Sequence, residues 1–110
     1  MFQLRVKPDE GHPFATAVGK DVFLIGRGEA CDLILPDLLV SREHARLMLG
    51  PDGPLLEDLN SINGTFVNGR RIGRIRLRDG DVIRLGGIEI TLEPLLEQTV
   101  VQSPSPPPRP

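Results

Sequence analysis

Apolar and polar positions alternate along most of this chain, and the alternation is cut every few residues by turn chemistry. Phe2, Leu4 and Val6 alternate with Gln3 and Arg5, which predicts a half-buried strand. Turn residues fill Pro8 to Pro13, and Phe14 to Val18 reads as a second strand. Val22-Phe23-Leu24-Ile25 is an unbroken apolar run ending at Gly26, the pattern of a strand buried on both faces. Gly28 to Asp32 is a polar loop. Leu33 to Leu35 is a brief strand stopped by Pro36, which has no N–H for a ladder, and Asp37 to Arg42 is loop again.

From His44 to Leu49 the alternation places Ala45, Leu47 and Leu49 on one face, and Gly50 to Pro54 is a dense turn cluster. Leu55 to Asp58 is a strand, followed by a loop to Gly64. Asn68-Gly69 between Thr65-Phe66-Val67 and Arg70-Arg71-Ile72 predicts a hairpin, because both turn residues tolerate the positive φ of a type I′ turn. Ile75 and Leu77, Val82 to Leu85, and Ile88 to Leu92 complete the set, with turns at Asp79-Gly80-Asp81 and Gly86-Gly87. No window has helical periodicity. About ten short strands with frequent turns predict an all-β sandwich or barrel.

The texture changes at Pro94. Ser103 to Pro110 is rich in Pro and Ser, so residues 95–110 are expected to be a disordered tail or the start of a linker, and residues 1–94 the folded domain. A length of 110 residues leaves little room for a second core. No apolar run approaches the roughly 20 residues of a membrane span, and the first residues do not form a signal peptide. The single Cys31 has no internal disulfide partner, so a cytoplasmic location is expected. A net charge of −2 argues against general nucleic-acid binding. Two lysines stand against eleven arginines. Arg suits bidentate contact with phosphate or carboxylate, although a coding bias toward Arg accounts for the same excess.

Three short pieces carry candidate chemistry: Gly26-Arg27 after a strand, Ser41-Arg42-Glu43-His44 on a loop, and Asn63-Gly64 at a bend. Arg27 between Gly26 and Gly28 offers a guanidinium fork where a ligand can approach the backbone, though a lone Gly-Arg is equally a surface strand end. Ser41 and His44 invite a hydrolytic reading, but no nucleophile elbow accompanies them. The alternative is a Ser hydroxyl offered to a ligand and a His that braces the loop. Asn63 either bonds an extended peptide or simply makes a turn. Two His and one Cys without ligand spacing give no metal site, and four Phe without Trp or Tyr give no platform for stacking bases.

As a set, these residues resemble the forkhead-associated (FHA) family. The resemblance runs through Val22 to Arg27, Val40 to Arg46, Ser61 to Gly69 and Asp79 to Gly86, in the family's order, and covers about Phe2 to Leu92. It implies an eleven-stranded β-sandwich with a phosphothreonine site on the loops at one end. Arg27 and Ser41 would hold the phosphate, Arg42 would add a ligand contact, and Asn63 would bond the peptide backbone. Gly26, His44, Gly64 and the hairpin residue Asn68 would be structural supports. Many members carry Thr just before the Asn; here that position is Ile62, which removes a hydroxyl and sets an apolar group beside the site.

The function implied is a non-catalytic phosphothreonine-binding module in kinase-linked signalling. It would need no cofactor and no metal, and its partner would be a Ser/Thr kinase or its substrate. The domain is expected to be monomeric when unphosphorylated. The alternative is a phosphate-independent assembly domain with a weakened pocket, which Ile62 favours; a serine hydrolase is a third reading. Thr99, in Glu97-Gln98-Thr99-Val100-Val101, is a candidate phosphosite.

Overall fold

A computed structural model of the chain describes residues 2–94; the expected tail and Thr99 lie outside the described residues. Eleven strands follow one another: β1 (Phe2–Lys7), β2 (Phe14–Val18), β3 (Val22–Gly26), β4 (Leu33–Ile34), β5 (Ala45–Gly50), β6 (Gly53–Asp58), β7 (Thr65–Val67), β8 (Arg70–Ile72), β9 (Arg74–Arg76), β10 (Val82–Leu85) and β11 (Ile88–Pro94). They make a six-stranded sheet in the order β2-β1-β11-β10-β7-β8 and a five-stranded sheet in the order β4-β3-β5-β6-β9. All pairs are antiparallel except β3 with β4. The all-β sandwich expected from the sequence is the fold.

Alternation decides what enters the core. Leu4 and Val6 of β1, Ala45 and Leu47 of β5, Ile83 and Leu85 of β10, and Ile88, Ile90 and Leu92 of β11 are all buried between the sheets. Full burial of a Val, Leu or Ile side chain contributes about 1.5–3 kcal/mol. The Asn68-Gly69 hairpin forms as predicted, with φ of 52° and 85°. Asn68 does more than turn: its Oδ1 accepts the Val82 N–H at 3.0 Å and its Nδ2 donates to Asp81 at 3.1 Å, tying the hairpin tip to the start of β10.

Two local expectations change. The run from Val22 to Ile25 is buried on one face only: Phe23 and Ile25 point inward, while Val22 is 50% exposed. An apolar run is buried on both faces when helices cover the sheet. No helix is present among the described residues, so the outward side chains form a surface row in which Val22 stands opposite Met48 and Met48 opposite Leu55. The strand expected at Ile75 and Leu77 ends at Arg76, and Leu77 is buried one step beyond, with its N–H donated to the Pro54 carbonyl at 2.8 Å.

Both ends of the sandwich can be placed from β11. Its first residue follows the Gly86-Gly87 turn, where the Gly87 N–H donates to Asp37 on the β4–β5 loop at 3.2 Å. Its last residue, Pro94, pairs with Phe2 at the opposite end. The β3–β4, β4–β5 and β6–β7 loops therefore gather at one end, and the described chain begins and ends at the other.

Candidate functional site

Backbone hydrogen bonds dock the β4–β5 loop onto the end of β3. The Arg27 N–H donates to the Ser41 carbonyl and the Gly28 N–H to the Arg42 carbonyl, both at 3.0 Å. A Cβ on Gly26 would lie inside contact distance of the Arg42 carbonyl oxygen, and one on Gly28 would lie 3.1 Å from the same oxygen. These glycines thus admit the neighbouring loop's backbone, not a ligand as the sequence suggested. That close approach brings Arg27 and Arg42 to one open cavity of about 360 Å³, lined also by Gly28, Glu29, Ala30, Cys31 and Glu43.

Arg27 is exposed but anchored. Its Nε donates to the Val40 carbonyl at 3.0 Å, and its two terminal nitrogens have no partner among the described residues. Ser41 Oγ accepts the Ile62 N–H at 3.1 Å, so its own hydroxyl hydrogen remains to be donated. Asn63 Nδ2 donates to the Leu39 carbonyl at 2.8 Å. Among the described residues its amide oxygen has no partner. Ile62 is 85% exposed beside this cluster.

His44 is fully buried and joins the loops. The Ser41 N–H donates to its Nδ1 at 3.0 Å, so the ring proton sits on Nε2, which lies 2.9 Å from the Gly64 carbonyl. Both ring nitrogens are occupied by backbone, which rules against a general base activating Ser41. Gly64 has φ of +90°, a conformation that favours glycine.

Sequence reasoning missed Asp58, Ser61 and Thr65, which shape the β6–β7 loop. Asp58 accepts hydrogen bonds from the Ser61 hydroxyl at 2.5 Å, the Thr65 hydroxyl at 2.7 Å and the Ser61 N–H at 3.2 Å. Burial alone would raise the Asp58 carboxyl, but the hydrogen bonds from Ser61 and Thr65 hold it below the usual carboxylate value. The Ser61 hydroxyl also accepts the Gly64 N–H at 3.0 Å. The signal was present in Asp58-x-x-Ser61, an acid followed by a hydroxyl at turn spacing. Asp37 was missed as well; it accepts the Leu39 N–H at 2.8 Å and so fixes the loop that meets Asn63.

Cys31 lines the cavity, its thiol donating to the Arg42 carbonyl at 3.0 Å. Burial, with the charges of Glu43 and Asp32 beside it, pushes that thiol up against the opposing bond from the Gly28 backbone. A raised thiol is a weak nucleophile, which fits a packing role. The described residues contain no cluster of His, Cys, Asp and Glu able to hold a metal ion, and no helix long and apolar enough to cross a membrane.

Arg27, Ser41, Arg42, Ile62 and Asn63 thus come together at one end, held by Gly26, His44 and Gly64, while Asn68 sits away from them on the β7–β8 hairpin. The arrangement offers two cations, a hydroxyl donor and an amide on an exposed surface. Comparison with known proteins agrees in fold and in sequence. The curated relatives include the ABC transporter ATP-binding/permease protein Rv1747 of Mycobacterium tuberculosis, 47% identical over 66 residues, 60% of this chain and 8% of that protein. The FHA domain-containing protein FhaA of the same organism is 41% identical over 87 residues, 79% of this chain and 16% of the relative. This chain therefore spans a small part of the length of either. A solved chain from work on phosphothreonine-dependent FHA domain interactions superposes with a TM-score of 0.75 at 37% identity, covering 86% of this chain and 97% of the other. The model of the FHA domain matches residues 23–86, more than half of the sequence, and the chain belongs to the FHA domain family.

Proposed function

We propose that this chain is a non-catalytic module that binds phosphothreonine-containing peptides in protein-kinase-linked signalling. The observation that carries the reading is that Arg27 and Arg42 share one cavity while the Arg27 N–H, bonded to the Ser41 carbonyl at 3.0 Å, ties Ser41 and its hydroxyl to the same loop end. A phosphothreonine brings a charge of about −1.5 to −2 and three acceptor oxygens near neutral pH. The free terminal nitrogens of Arg27 supply a planar fork for two of those oxygens. Ser41 adds a neutral donor and Arg42 a second charge. The amide oxygen of Asn63 accepts a backbone N–H of the peptide, and Ile62 lies exposed beside it. The solved neighbour associated with phosphothreonine-dependent interactions supports the ligand class. On this reading the module occupies residues 1–94 in the cytoplasm, works without cofactor, nucleic acid or membrane, and is a monomer until phosphorylated. Its partner is a Ser/Thr kinase or a kinase substrate.

The test is calorimetry with matched phosphothreonine and unmodified peptides from an oriented library. Binding is expected only for the phosphorylated set. It should weaken between about pH 7.5 and pH 5, as the phosphate gains a proton near its second pKa of about 6. Arg27→Ala, checked for folding by thermal melting, should abolish it. Equal affinity for both peptide sets would sink the reading. A second reading, a phosphate-independent assembly domain, is favoured by one observation: Leu38, Leu39 and Ile62 are exposed by 88%, 55% and 85% beside the site. That reading requires binding that survives dephosphorylation and Arg27→Ala.

A further inference from the structure

Arg71 lies outside the phosphate cavity and has no role in the reading above. It stands on β8, directly opposite Phe66 of β7, which in turn stands opposite Arg84 of β10. Thr65 and Val67 point inward and are buried, so the alternation sends Phe66, and with it Arg71 and Arg84, to the outer face of the six-stranded sheet. Arg84 is paired with Glu89 at 3.2 Å. Arg71 has no acidic partner among the described residues.

Its guanidinium is not directed away from the molecule. A Cβ built on Gly64 would lie 2.7 Å from Arg71 Nε and 3.0 Å from Cζ, so the head group lies against the β6–β7 loop next to Asn63. Arg71 and Phe66 are cross-strand neighbours on this face, a spacing at which an arginine stem can pack against a ring. The loop from Ser61 to Gly64 crosses from the five-stranded sheet, which carries Arg27, to the six-stranded sheet, which carries Arg71. Arg27 and Arg42 therefore belong to the sheet that the loop leaves, and Arg71 meets the loop where it arrives, at Gly64 next to Asn63.

We infer that Arg71 is a second anion-reading residue of the site, one that contacts an acidic side chain on the peptide flanking its phosphothreonine. This rests on the phosphothreonine reading. A peptide held by its phosphate at Arg27 and by its backbone at Asn63 passes the Ser61–Gly64 loop and meets the unpaired guanidinium. An Asp or Glu there completes an exposed ion pair that the fold itself leaves open.

Fluorescence anisotropy with labelled phosphothreonine peptides on a neutral background tests this, with a single Asp placed in turn at each of five positions on either side. Asp at one position should tighten wild-type binding by about two- to fivefold, the size of an exposed ion pair. Arg71→Gln should erase that gain and keep the neutral peptide within about twofold of wild type. Arg71→Glu should transfer the gain to Lys at the same position. Melting temperature serves as the check that each variant is folded. An Asp preference that persists in Arg71→Gln, or no preference in the wild type, overturns the inference and leaves phosphothreonine binding standing. Wild type that binds no phosphopeptide, and so matches Arg27→Ala, overturns both.

Discussion

The imidazole of His44 accepts the Ser41 N–H at 3.0 Å and lies 2.9 Å from the Gly64 carbonyl through its other nitrogen, so one buried ring sets the distance between two recognition loops. Truncating it leaves the buried Gly64 carbonyl and the part-buried Ser41 N–H without this partner. Each such group costs about 1–3 kcal/mol. His44→Ala should therefore lower stability by at least that amount in urea denaturation. Phosphopeptide affinity should fall with it, because Ser41 and Asn63 lose their common brace. A variant as stable as wild type would remove His44 from the support of the site.

Acid should weaken the same loop through Asp58. Its carboxyl is held below the usual range in the folded chain by the Ser61 and Thr65 bonds, which outweigh the opposing effect of burial. A depressed native pKa means the folded state binds its proton less readily than the unfolded one. The stabilisation is therefore complete above the unfolded value of about 3.9 and is lost as pH falls through the lower native value. Denaturation of wild type and Asp58→Asn should show a gap near pH 7 that closes in strong acid. A gap independent of pH would mean that the carboxylate charge is not what holds the loop.

Ile62 stands beside Asn63 with its N–H donated to Ser41 Oγ at 3.1 Å and its side chain in solvent. The backbone bond is kept whatever the side chain, so Ile62→Thr should leave the loop in place and add one hydroxyl donor near the phosphate. Calorimetry with one phosphopeptide should then show tighter binding by about 0.5–1.5 kcal/mol. Weaker binding would identify the isoleucine as a contact to the peptide.

Thr99 lies five residues past Pro94, which sits at the end of the sandwich away from the recognition loops. Five residues reach at most about 18 Å at 3.3–3.6 Å each. The seven residues of β11 alone run about 24 Å. A phosphorylated Thr99 therefore cannot reach the cavity of its own domain and should be captured by a neighbour's. Such head-to-tail contact gives open chains or rings. Light scattering on the phosphorylated chain should show association that Arg27→Ala abolishes. A phosphorylated protein that stays monomeric at high concentration refutes the idea.

Local chemistry in the sequence determined the fold to a large degree. Period-two alternation set which face of β1, β5, β10 and β11 is buried, because successive side chains in a strand point to opposite sides. Asn68-Gly69 set its own turn, because only residues tolerant of positive φ can close it. Arg27, Ser41, Arg42 and Asn63 were legible as candidates because their side chains suit phosphate and peptide backbone, and their spacing resembles a family. What the sequence could not show is whatever depends on a partner distant in the chain. Val22 reads as core until the sheet places Met48 beside it on an outer face that no described element covers. Gly26 reads as room for a ligand until the Arg42 backbone occupies that room. The tie between His44 and Gly64 spans 20 residues, and that between Asn63 and Leu39 spans 24. Arg71 joins the surroundings of the site only because a hairpin folds it over Gly64. These contacts follow from how two sheets pack and which loops then meet, and that packing is a property of the whole chain.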